Sequence, residues 1–106
     1  MSCACGTVTG KVGATFASGF KKLAKFAPGT YSAEAYDATN LVLTAMNKVK
    51  KVTRANVLAA VRTITFKGLT KVIKFNSAGD VNTTVVYMNQ VVVNGTTGTI
   101  KQIGAI

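Results

Sequence analysis

Histidine is absent from this chain of 106 residues, and Asp and Glu together number three: Glu34, Asp37 and Asp80. The usual general base at neutral pH and the commonest metal ligand are therefore both missing. Three acids give poor support for calcium loops, two-metal phosphoryl chemistry or paired-carboxylate glycosidase chemistry. No glycine pattern matches a phosphate loop or a dinucleotide fingerprint, because the glycines from Gly6 to Gly13 stand at the wrong offsets. These absences argue against an enzyme and call for no cofactor. No apolar run approaches the ~20 residues that a membrane-spanning helix needs. Charged residues are only 15% of the chain against 48% hydrophobic, which excludes a disordered tail. The length suits one domain, expected as a single compact unit over 1–106 without an internal linker.

What is present is positive charge. Thirteen Lys and Arg against three acids give a net charge of +10. Such a field favours nucleic acid, anionic surfaces or acidic partners. The cations are dispersed into Lys21, Lys22 and Lys25; Lys48, Lys50, Lys51 and Arg54; and Lys67, Lys71 and Lys74. Arginine, the usual reader of base edges, appears only at Arg54 and Arg62. The plain reading is a set of solvated basic faces, and any polyanion binding should be non-specific.

Cys3 and Cys5 are the two cysteines, spaced C-x-C. Two thiols without histidine cannot close a tetrahedral zinc site in one chain, so no metal is expected. Free thiols, or a small strained disulfide in an oxidising compartment, are the two options. Met1 runs directly into small and polar residues with no leader pattern.

Periodicity organises the rest. The first fifteen residues read as a loop or weak strand. Phe16, Phe20, Leu23 and Phe26 then recur at helical spacing, and Ala27-Pro28-Gly29 stops that helix. Such an aromatic stripe is more often core than ligand site. Ser32 suits an N-cap, with Glu34 in the first turn, and Ala38, Leu41, Val42, Ala45, Met46 and Val49 form one apolar face. Thr53 caps a third predicted helix, with Val57, Leu58, Val61 and Ile64 on its buried side. After Gly68 the period changes to that of strands. Leu69, Ile73 and Phe75 share a face, and the segment from Asn76 to Asp80 is a turn by its chemistry. Thr83 to Val93 is a long β-rich run, apolar on both sides and so expected inside a sheet; Asn94-Gly95 breaks it, and Thr99 to Ile103 can pair back. The fold class expected for the isolated chain is α+β: three helices followed by about three mostly antiparallel strands.

These elements also carry a resemblance. The run Tyr31-Ser32-x-Glu34-Ala35-Tyr36-Asp37-Ala38, the helix opening Thr53-Arg54, and Phe66-x-Gly68-x-Thr70-x-x-Ile73-x-Phe75 through Gly79-Asp80 are in order. Together they resemble the C-terminal part of type I periplasmic substrate-binding proteins, especially the branched-chain amino acid receptors of ABC transporters. The resemblance covers most of the chain and implies about the last quarter of an α/β two-lobed receptor. Such receptors are extracytoplasmic (periplasmic or cell-surface) and close on a small amino-acid or amide ligand without chemistry. Tyr31 matches a position where the family places an aromatic side chain in the ligand cleft. Glu34, Tyr36 and Asp37 match the helix motif, where capping and packing are the expected roles. The remaining ligand contacts of the family would lie upstream, so an amino-acid-like ligand is expected only when the missing lobe is supplied. The alternative is a small cationic structural or interaction module that self-associates into a homo-oligomer or binds polyanions such as nucleic acid.

Overall fold

The computed structural model of the chain describes residues 8–82 and 87–105. Cys3 and Cys5 lie outside them, as do Thr83 to Val86 of the predicted long strand. Three helices come first: α1 (Gly10–Ala24), α2 (Ser32–Lys48) and α3 (Arg54–Thr63). Four strands follow: β1 (Phe66–Lys67), β2 (Val72–Ile73), β3 (Tyr87–Asn94) and β4 (Thr97–Ala105). The class is α+β, as expected, with the strands in two separate antiparallel pairs.

The first helix starts earlier than the aromatic spacing suggests, at Gly10. Its glycine content, which reads as loop in sequence, serves a close approach: a Cβ on buried Gly13 would run into the Val8 carbonyl. It also ends sooner. Lys25 takes a left-handed conformation (φ 68°) and its N–H donates to the Lys21 carbonyl at 3.0 Å, closing the helix before Pro28 is reached.

The second helix begins where the serine signal places it, shifted by one residue. Tyr31 is the N-cap, and Ser32 turns its Oγ back to accept the Gly29 N–H at 2.9 Å. Only part of the predicted apolar face is covered. Leu41 and Ala45 are buried, whereas Ala38 and Val42 remain exposed. The third helix follows expectation at its start, where Thr53 Oγ1 accepts the Asn56 N–H at 3.2 Å. Its predicted buried side is thinner than the pattern implies, since Leu58 is exposed.

The core is small. Leu41, Ile64 and Ile73 form its centre, flanked by Val61, Phe66, Phe75 and Val81. It sits where α2 meets the end of α3 and the β1–β2 hairpin. Full burial of a Leu or Ile side chain contributes roughly 1.5–3 kcal/mol, so three such residues anchor the junction without covering the outer faces. Beyond β2 the chain forms a tight loop: Asn76 Oδ1 accepts the Ala78 and Asp80 N–H groups at 3.0 and 2.9 Å, and Phe75 bridges Val81. The turn predicted over Asn76 to Asp80 is there, with Gly79 at φ 91°.

The strands β3 and β4 form a two-stranded ribbon that turns at Gly95 (φ 64°), with Val91 opposite Ile100 and Val93 opposite Gly98. This corrects the expectation of a strand inside a sheet. Val91, Val93 and Ile100 are all exposed, and among the described residues no third strand joins the pair. Apolar residues on both faces indicate a surface made for cover, and nothing among the described residues covers it. The dimensions of 56 × 32 × 23 Å and a radius of gyration of 16.4 Å exceed the ~13 Å of a compact domain of this size.

Candidate functional site

The start of α2 carries four side chains with different fates: Tyr31, Glu34, Tyr36 and Asp37. Tyr31 is 65% exposed and caps the helix through its backbone alone, its carbonyl accepting the Ala35 N–H at 2.9 Å. An aromatic side chain presented at a helix start, with no ring partner among the described residues, is free to face a ligand. Tyr36 is also exposed, at 53%, but it has a ring partner: it meets Phe16 edge-on at 5.4 Å between centroids, and Phe16 continues to Phe20 at 5.9 Å. The aromatic stripe of α1 thus docks α1 onto α2 with only part of its length. Leu23 stays exposed on an open apolar groove of about 620 Å³ that reaches Tyr36 and Leu69, and Phe26 stays exposed against the Phe20 ring.

Asp37 is the most deeply buried polar residue described, at 1% exposure. Its Oδ1 accepts the Leu69 N–H at 2.7 Å, and its Oδ2 accepts both the N–H and the hydroxyl of Thr70 at 2.8 and 2.6 Å. A buried carboxyl is tolerated when its lone pairs are filled this way. Gly68 leaves the required space, because a Cβ there would collide with the Asp37 carboxyl and come within 2.9 Å of the Lys71 carbonyl. The role is structural: α2 holds the β1–β2 turn through this carboxyl. The helix motif and the Gly-x-Thr motif of the hairpin are therefore two halves of one contact. Sequence spacing does not show that pairing, since each motif reads as a local signal.

Glu34 stands in the first turn of α2 but does not cap it. No side chain caps the α2 N-terminus, and both carboxyl oxygens of Glu34 are sealed from solvent without a hydrogen-bond partner. An unpaired buried acceptor costs about 1–3 kcal/mol.

The lysines occupy other surfaces. Lys48, Lys50, Lys51 and Arg54 are exposed around the α2–α3 connection, and Lys21, Lys22 and Lys25 are exposed at the end of α1. Among the described residues no group of His, Cys, Asp and Glu can hold a metal ion, and no helix is long and apolar enough to cross a membrane.

No family model and no curated protein matches the chain. Among solved structures, the leucine-binding protein LivK from Thermotoga maritima MSB8 superposes with a TM-score of 0.69 at 23% identity. The superposition covers 93% of this chain and 27% of that protein. The chain thus spans about a quarter of the length of the leucine-binding protein it matches. The three helices and antiparallel hairpins of the described residues are a portion of the periplasmic-binding-protein fold.

Proposed function

We propose that the chain is a non-enzymatic element of a solute-binding protein and supplies one wall of a cleft for an amino-acid-like ligand. One observation carries this reading: nearly the whole chain superposes on a leucine-binding protein, with Tyr31 exposed at the start of α2. In this reading Tyr31 lies against the apolar part of the ligand, and the opposite wall comes from the rest of the two-lobed fold. The exposed groove beside α1 and the uncovered ribbon are then surfaces that the remainder of such a fold would bury. The setting would be the extracytoplasmic side of an ABC transporter for branched-chain amino acids or amides.

The test is a chimera of the leucine-binding protein in which this chain replaces the matched segment. Titration calorimetry should detect leucine binding by the chimera, weakened at least about tenfold by Tyr31→Ala. By itself the chain should bind leucine, isoleucine or valine no tighter than ~1 mM, since a single wall leaves the ligand's charges in water. A folded chimera that ignores leucine defeats the proposal, as does micromolar binding by the isolated chain.

A second reading rests on the ribbon and the charge. Val91, Val93 and Ile100 are exposed on an open two-stranded ribbon, a template for pairing with a second copy. The exposed lysines would give non-specific binding to nucleic acid. Self-association that strengthens with salt, because screening weakens repulsion between protomers of charge +10, would favour this cationic module.

A further inference from the structure

The first helix separates its apolar and cationic side chains. Val12, Phe16 and Phe20 follow at four-residue steps and Leu23 comes three further on, so the four share a face. Lys11 and Lys22, about three turns apart, flank that face, and Lys21 stands on the opposite side. Only part of the apolar face is used within the chain, where Phe16 meets Tyr36. The rest projects into solvent. Leu23 is 86% exposed, Val12 is exposed, and Phe26, whose ring lies 5.7 Å from that of Phe20, is 64% exposed. Lys11, Lys21, Lys22 and Lys25 are exposed as well. No acidic residue precedes Glu34 in the sequence, so no carboxylate on this helix offsets them. The groove beside α1 is also poor in hydrogen-bonding side chains. Its polar ones are Lys11, Tyr36 and Thr15, and the Thr15 hydroxyl already donates to the Lys11 carbonyl at 2.9 Å.

We propose that this face of α1 binds the surface of an anionic phospholipid bilayer, with Val12, Leu23 and Phe26 among the upper acyl chains and Lys11 and Lys22 at the phosphates. A helix with Phe and Leu on one side and Lys on the other lies in the plane of the membrane interface. Lysine suits the boundary, since its stem rests on apolar surface while its ammonium reaches the head groups. The net charge of +10 complements an anionic leaflet. Nucleic acid would engage the lysines and leave Val12, Leu23 and Phe26 in water. A bilayer matches charge and apolar area together, and it requires no pattern of hydrogen bonds from the groove. At 15 residues α1 is too short to span the bilayer and lies along it. The inference goes beyond the cleft reading and concerns the chain with α1 uncovered, so the outcome of the leucine chimera does not bear on it.

The chain contains no tryptophan, so Phe26→Trp places a single fluorophore on this face and Ile100→Trp places one on the ribbon. Both are titrated with vesicles of equal parts phosphatidylcholine and phosphatidylglycerol. The expected result is a blue shift and protection from acrylamide for Phe26→Trp and neither for Ile100→Trp. Vesicles of phosphatidylcholine alone should bind at least about tenfold more weakly, and Lys22→Gln should weaken binding to the anionic vesicles about fivefold. Leu23→Lys separates insertion from simple charge attraction, because it adds a cation while removing an apolar side chain. It should bind at least about tenfold more weakly. Flotation of the unsubstituted chain and of Leu23→Lys repeats the comparison without a fluorophore, and circular dichroism checks that the exposed substitution leaves the helices intact. Unchanged or tighter binding by Leu23→Lys would overturn the proposal. So would a blue shift of Ile100→Trp in place of Phe26→Trp, or equal binding to vesicles without phosphatidylglycerol. Tighter binding to a soluble amphipathic peptide of Glu and Leu than to the vesicles would assign the face to a protein partner and overturn it too.

Discussion

Asp37 and Thr70 stand 33 positions apart, and the Asp37 Oδ2 accepts both the backbone N–H and the hydroxyl of Thr70. This contact joins α2 to the β1–β2 turn across the edge of the small Leu41–Ile64–Ile73 core. A polar group at that place fixes the direction in which the hairpin leaves the helix, which apolar contacts alone specify loosely. Its removal should therefore affect more than one element.

Asp37→Ala would leave the Leu69 and Thr70 N–H groups and the Thr70 hydroxyl without their acceptor. At ~1–3 kcal/mol for each unsatisfied buried group, and with the turn only part-buried, the expected loss is about 3 kcal/mol. Thr70→Val keeps the N–H bond and should cost about 1 kcal/mol. Urea denaturation followed by circular dichroism measures both. Losses of equal size for the two variants would show that the hydroxyl, not the carboxyl, is the centre of the contact.

Gly68→Ala tests the same junction from the other side. The added methyl meets the Asp37 carboxyl and the Lys71 carbonyl, and overpacking of this kind costs roughly 1–3 kcal/mol. The nearer clash partner is the Asp37 side chain, so the loss should shrink, though not vanish, when Asp37 is already alanine. A double-mutant cycle should return a coupling of at least ~0.5 kcal/mol. Strict additivity would mean that the turn relaxes away from the helix.

The cap of α3 is a local feature with a local cost. Thr53→Ala removes the acceptor of the Asn56 N–H and should destabilise by about 1 kcal/mol, whereas Thr53→Ser should be nearly neutral. Thermal unfolding of the two variants provides the comparison. Equal destabilisation by serine would assign the effect to the threonine methyl group.

The ribbon should be the least protected part of the described chain. A two-stranded hairpin is marginal in water, and Val91, Val93 and Ile100 lack cover. Amide exchange in β3 and β4 should be faster than around Leu41 and Ala45 by at least about a hundredfold, when measured in dilute solution. Ile100→Lys should leave the helices intact and abolish any self-association seen by sedimentation. Protection in the ribbon equal to that in α2, for a monomer, would require cover from within the same chain.

The second helix, the Thr53 cap, the turn over Asn76 to Asp80 and the break at Asn94-Gly95 were legible in the sequence, because each depends on neighbours within a few positions. Capping hydroxyls, a 3.6-residue apolar period and turn residues act locally, and their meaning survives without knowledge of the rest. The start of α1 was not legible, because Gly13 has its place through an approach to Val8 that composition cannot show.

Tertiary structure decided the matters that depend on distant partners. It set the exposure of Val42 and Leu58 within apolar stripes, the separation of β3 and β4 from any larger sheet, and the divergent fates of Glu34 and Asp37. These two acids lie three positions apart on one helix, and nothing in their local sequence distinguishes a satisfied carboxyl from an unsatisfied one. The difference is made by Leu69 and Thr70, which supply donors to Asp37 and none to Glu34. Periodicity marks which residues share a face; only the folded chain determines whether that face is covered and what it meets.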